Sequence, residues 1–270
     1  MIKNIYYLAL LGLIFFSACK SDSPVTPTTE NTNYTNIFTA EQGNTKYEIW
    51  STTSTSSLMT GYNDVGFKVY VNSNKISSGS VSFTPVNYSF AGLKSSPVSR
   101  TFSYDAAKEM FTGYMNFFIA SDTGANYWIG WLTCNGSYLV DSVNFVVHIN
   151  HSAQVITFPD ISSGTNVYMT LMQPMTPKQS LNDFNIMVHK SADGINFYEA
   201  DSLEMYIKTW MPLMGHSSSD NINPVASGSG VYKGKINFNM SGSWYVYDSL
   251  KFNNNFITPS PAPKFDFECP

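Results

Sequence analysis

The chain has 270 residues, of which 13% are charged and 15% aromatic, with a net charge of −4 and a single arginine, Arg100. A typical soluble protein is about 25% charged, so Asn, Ser, Thr and Tyr must supply most of the wetted surface. With so few basic groups there is no phosphate-binding face, which excludes nucleic acid as a partner.

The first nineteen residues read as an export signal. Lys3 gives a positive start, and IYYLALLGLIFF (Ile5 to Phe16) follows as an apolar run. That run is shorter than the roughly 20 residues that span a bilayer as a helix, and it matches the hydrophobic region of a signal peptide. Phe16-Ser17-Ala18-Cys19 resembles the lipobox of bacterial lipoproteins, with Phe where Leu is more usual. The resemblance implies that residues 1–18 are removed and that Cys19 carries the lipid. Several acyl chains on one residue anchor durably, each buried CH₂ contributing about 0.8 kcal/mol. The expected location is the bacterial cell envelope, at the outer membrane and facing the periplasm or the cell surface. Residues 19–43, rich in Ser, Thr, Pro and Asn, bury too little apolar area to offset their ordering entropy and are expected to form a flexible tether.

Beyond the tether, short apolar runs alternate with Gly, Asn and Ser, and no long helical period appears. Val65, Phe67, Val69 and Val71 alternate with polar residues, as do Met115, Phe117 and Ile119. The same pattern returns. Asn63-Asp64 reappears as Asn182-Asp183, followed by Phe184, Ile186 and Val188, and Gly113-Tyr-Met-Asn-Phe117 reappears as Gly234-Lys-Ile-Asn-Phe238. A tryptophan follows each copy, Trp128 or Trp131 in the first and Trp244 in the second. An offset held near 120 residues is the mark of a tandem duplication. From Lys235 to Val246 the even positions, Ile236 through Trp244 and Val246, form one apolar face, which places Met240 in the core; in the earlier run His189 falls on the solvent face opposite Phe184, Ile186 and Val188. The expected fold is all-β, with two tandem immunoglobulin-like antiparallel sandwiches at 44–152 and 153–255 and a tail at 256–270.

Trp210-Met-Pro-Leu-Met-Gly-His216 is the segment richest in chemistry. Thioethers select Cu(I), and imidazole suits copper in either oxidation state. Pro212 and Gly215 permit the turn that would gather Met211, Met214 and His216, with Trp210 beside them to cover an ion. Packing is the competing role for these residues, because Met fills gaps in cores.

Met211-Pro-x-Met214-Gly-His216, followed by Gly230-Val-Tyr232-x-Gly234 and Phe238-x-Met240-x-Gly242-x-Trp244, resembles the YtkA-like/FixH-like domain family. The resemblance implies a small exported β-sandwich that handles metal, with copper as the cofactor and Met211, Met214 and His216 as the loop ligands. It also implies an envelope protein partner. The first copy has Thr84-Pro85-Val86-Asn87 in place of the loop, with the proline kept and no Met or His.

Cys134 and Cys269 remain after Cys19. In an oxidising compartment they form either a disulfide tying the end of the chain to the first domain or two free thiols. No nucleophile elbow, zinc-protease helix or phosphate loop is present, so the expectation is a non-enzyme. The alternative to copper handling is a surface interaction or adhesion protein using its exposed tyrosines.

Overall fold

The computed structural model describes residues 34–52, 57–89, 92–121 and 126–270. The signal sequence, Cys19 and the start of the tether lie outside the described residues. Asn33–Pro270 forms one compact unit, and every element named within it is a β-strand.

The first half opens with β1 (Thr35–Gln42), β2 (Thr45–Ser51), β3 (Leu58–Met59), β4 (Gly61–Val71), β5 (Asn74–Lys75) and β6 (Ser80–Ser89). It continues through β7 (Gly92–Ser95), β8 (Phe102–Asp105), β9 (Met110–Phe117), β10 (Asn126–Cys134), β11 (Ser137–Phe145) and β12 (Val147–His148). Its main sheet runs β1-β2-β4-β9-β8-β6-β10-β11 as one ladder. The link is the short β6–β8 pairing, Ser80 with Ser103 and Val81 with Phe102.

In the second half come β13 (Val155–Pro159), β14 (Asn166–Gln173), β15 (Leu181–Ser191), β16 (Tyr198–Glu199), β17 (Glu204–Trp210) and β18 (Ile222–Ala226). β19 (Val231–Asn237), β20 (Gly242–Phe252), β21 (Asn255–Phe256) and β22 (Lys264–Cys269) complete it. Here the sheets are separate, β13-β14-β15-β19-β18 facing β17-β20 with its partners β21 and β22. Phe184, Ile186 and Val188 of one sheet meet Trp244, Val246, Phe265 and Phe267 of the other in a single core. All strand pairings named are antiparallel except β3–β12, as the half-wet alternation requires.

The two halves repeat each other atom for atom at one point. Asn63 Nδ2 donates to Met59 O at 2.8 Å and Gly61 O at 3.0 Å, while its Oδ1 accepts from Met59 N at 2.9 Å. Asn182 makes the same clip, Nδ2 to Lys178 O at 2.8 Å and Ser180 O at 2.6 Å, with Lys178 N on Oδ1 at 2.9 Å. The register agrees as well: Val65 lies opposite Gly113, and Phe184 opposite Gly234. Trp128 is the partner of Trp244, since both are fully buried and each indole donates to a backbone carbonyl just before its strand, Ile119 or Met240.

Three expectations need correction. Thr35–Gln42, assigned to the tether, is an edge strand that pairs with β2. Its residues are mostly polar because most of its surface meets water, while Ile37, Phe38 and Ala40 pack on the core. The supposed C-terminal tail holds β22, which pairs with β20 and buries Phe265, Phe267 and Cys269. Lys235–Val246 is two strands in different sheets, and the turn between them leaves Met240 37% exposed.

His189 is also misplaced by the alternation. The face of β15 opposite its core is covered by the first half, so His189 is only 1% exposed. It meets Tyr114 across this seam. Nearby, Asn116 Nδ2 donates to Thr170 Oγ1 at 2.7 Å, and the Phe118 and Tyr168 rings stack at 4.8 Å.

Candidate functional site

The Met/His loop follows β17. Met211 N donates to His216 O at 2.8 Å, and Met211 O accepts from Gly215 N at 2.9 Å and Met214 N at 3.3 Å. Gly215 takes φ of 66°, a left-handed value that is cheap only without a Cβ. The loop is thus a tight, internally bonded turn joined at its base by an isolated bridge between Met211 and His216.

The three expected ligands have different fates. Met211 is 4% exposed and belongs to the second core, its methyl close against Gly242. A thioether held there anchors the turn from below. Met214 is 57% exposed at the tip, next to Leu213 at 83%. His216 lies between these extremes, with its ring 5.8 Å from that of Trp244 at 76°. Its Nδ1 is 3.1 Å from the Ser217 carbonyl. A carbonyl only accepts, so in the neutral imidazole that bond places the proton on Nδ1 and the free lone pair on Nε2, the arrangement usual for a metal-binding histidine.

Of the three, Met214 and His216 have donor atoms outside the core, whereas the Met211 thioether is packed within it. Met240 supplies a further exposed thioether on the turn before β20, and its carbonyl accepts from the Trp244 indole at 3.0 Å. The tryptophan beside the imidazole is Trp244; Trp210, expected to cover an ion, lies 5.5 Å from the Lys208 ammonium instead. Among the described residues no three His, Cys, Asp or Glu side chains gather into a metal cluster, so a metal here would draw on thioethers.

Of the two states open to the remaining cysteines, the structure has the free thiols. Cys134 and Cys269 are both free and buried, one in the first core and the other in the second. Burial pushes both thiols above their usual range, the condition of inert packing cysteines. The tyrosines named for a surface role fall into two groups. Tyr88 stacks on Tyr127 at 5.2 Å in the first half, and Tyr245 meets Tyr247 edge-on at 6.2 Å in the second.

Two buried polar groups stand out, and of these Asp248 escapes the sequence reading. Asp248 is fully buried with neither carboxylate oxygen partnered, and desolvation raises its pKa well above the usual carboxylate value. Its parity with Trp244, Val246 and Leu250 was the signal that could have found it. The seam histidine, His189, has its Nε2 3.0 Å from Tyr114 Oη. Burial lowers its pKa to about 3, so it is neutral at physiological pH.

No curated protein matches the chain in sequence. Among solved structures it is similar to FdeC, an Escherichia coli adhesin, at 11% identity and a TM-score of 0.25, covering 83% of this chain and 64% of that one. Invasin, a bacterial integrin-binding protein, gives 9% and 0.25 over 83% and 39%. A conserved domain protein from Bacillus anthracis gives 9% and 0.27 over 88% and 93%. The chain thus spans less than two thirds of the first two, and superpositions this loose carry no functional argument. In sequence, residues 161–247, which hold the Met/His loop and Trp244, match the YtkA-like family.

Proposed function

We propose that the protein is a bacterial envelope lipoprotein, tethered to a membrane through Cys19, which handles copper on the loop of its YtkA-like domain. The role would be buffering, sensing or delivery to an envelope partner. Met214 and His216 are the ligands, Met240 is the candidate third donor, and Met211 holds the turn in place. The observation that carries this reading is the pairing of a core-anchored, hydrogen-bonded turn with a thioether 57% exposed at its tip. An exposed thioether two residues from an imidazole with its lone pair on Nε2 offers soft donors, and the internally bonded turn keeps the loop's backbone in one shape before any ion arrives.

A second reading is favoured by Leu213, 83% exposed beside Met214. Two large apolar side chains on a stapled turn also suit a protein contact without metal. A titration of residues 34–270 with Cu(I) against a competing chelator separates the two. One-to-one binding lost in Met214→Ala and in His216→Ala supports copper. No binding above that of the double variant leaves the interaction reading in possession of the loop.

A further inference from the structure

The methionines of the chain divide sharply by exposure. Among the described residues Met214, Met175 and Met240 are exposed, at 57%, 43% and 37%. Met110, Met115, Met169, Met187, Met205 and Met211 are all buried, at most 5% exposed. Two of the three exposed thioethers sit on the Met/His loop and on the turn before β20. Trp244 joins those two places, its ring 5.8 Å from that of His216 and its indole donating to Met240 O. Met175 lies elsewhere, in the segment after β14.

An exposed thioether is open to peroxides, which convert it to a sulfoxide. The sulfur lone pair attacks one peroxide oxygen, and an S–O bond forms as the O–O bond breaks. The departing hydroxide takes the proton of the new S–OH group and leaves as water. Sulfur is oxidised by two electrons and the peroxide is reduced by two. A methionine sulfoxide reductase reverses the change: a dithiol becomes a disulfide and the oxygen leaves as water.

At Met214 this reaction alters chemistry without altering the fold. The loop is held by backbone bonds, Met211 N to His216 O and Gly215 N and Met214 N to Met211 O, and by the Met211 thioether in the core beneath. None of these uses the Met214 sulfur. A sulfoxide at Met211 would put a polar S=O among buried apolar side chains, whereas at Met214 it meets water. What oxidation removes there is a soft donor. A sulfoxide sulfur donates poorly and its oxygen is hard, a ligand type that Cu(I) does not select. We propose that Met214 is a reversible oxidation site, at which a peroxide switches off Cu(I) binding by the loop and a bound soft ion shields the sulfur from peroxide. The switch rests on the copper reading above; the oxidation site rests on exposure alone.

The test treats the compact unit Asn33–Pro270 with hydrogen peroxide at neutral pH, with and without one equivalent of Ag(I), a soft ion that peroxide leaves unchanged. Peptide mass spectrometry maps the oxidised residues over time. Met214 should oxidise while Met211 and Met169 stay reduced. Ag(I) should slow oxidation at Met214 and leave Met175, outside the loop, at its former rate. After the peroxide is removed, Cu(I) is titrated against a competing chelator. Changes around a metal's ligands alone cost about 10–100-fold in affinity, so sulfoxide at Met214 should weaken binding roughly tenfold or more. Reductase treatment should restore it, and Met214→Gln, a polar stand-in, should show the loss without oxidant. Met214 that stays reduced overturns the proposal, as does Met214 sulfoxide that binds Cu(I) as tightly as the thioether. Ag(I) that slows Met175 as much as Met214 overturns the shielding. Unmodified protein that binds no Cu(I) is a separate result: it removes the copper reading and the switch with it.

Discussion

Met211 and His216 are joined through the backbone at 2.8 Å, yet their side chains part company, the thioether entering the core and the imidazole turning to the flank of Trp244. One residue of the expected ligand triad is therefore structural, and the other two stand on the platform it makes.

Met211→Ala should cost about 2–5 kcal/mol, the range for emptying a buried Met site, because the residue is only 4% exposed. Met214→Ala should change stability by no more than about 0.5 kcal/mol, as exposed substitutions do. Chemical denaturation of both variants checks the contrast. Equal losses would mean that the tip of the loop is packed in solution.

The seam histidine gives stability a pH dependence of known sign. Burial lowers the pKa of His189 from 6.5 to about 3, so its neutral form is favoured in the folded state. That stability is fully present above pH 6.5 and is lost as pH falls toward 3, at up to about 1.4 kcal/mol per unit. His189→Gln, which cannot titrate, should lose less stability than the parent between pH 7 and pH 4, by about 3 kcal/mol. Parallel curves for the two proteins would place His189 in water.

Asp248 slopes the other way. Its folded pKa is raised by desolvation above the usual 3.8, so the unfolded chain releases its proton first. The parent then loses stability as pH climbs above 3.8, until the buried carboxyl itself ionises. Asp248→Asn should gain on the parent over that window, by up to about 1.4 kcal/mol per pH unit. Thermal midpoints at pH 4 and pH 8 read the difference, and a variant that gains nothing at pH 8 would show that the carboxyl has found a partner.

Period-two alternation made the β architecture and the duplication legible, because each strand has one wet face and the Asn63 and Asn182 clips preserve the register of both copies. What alternation could not see was a second covering. His189 and Met187 lie on the outer face of β15 and are buried by the other half, a contact that leaves no local pattern. β1 was hidden by its polar, edge-strand composition, and β22 by its brevity behind the proline-rich 259–263. At the loop, the residue types marked Met211, Met214 and His216 as candidate donors. Which of them packs inward depended on which side of the turn faced the core, and the turn residues 212–215 carry no parity from which to read it.

The most direct measurement is a methyl spectrum of the protein labelled at the methionine ε-carbons, recorded as one equivalent of Cu(I) is added. The Met214 methyl should move together with the His216 ring signals, while Met211 and Met169, both buried in the core, stay in place. A spectrum in which Met214 and His216 do not respond would contradict copper binding at the loop.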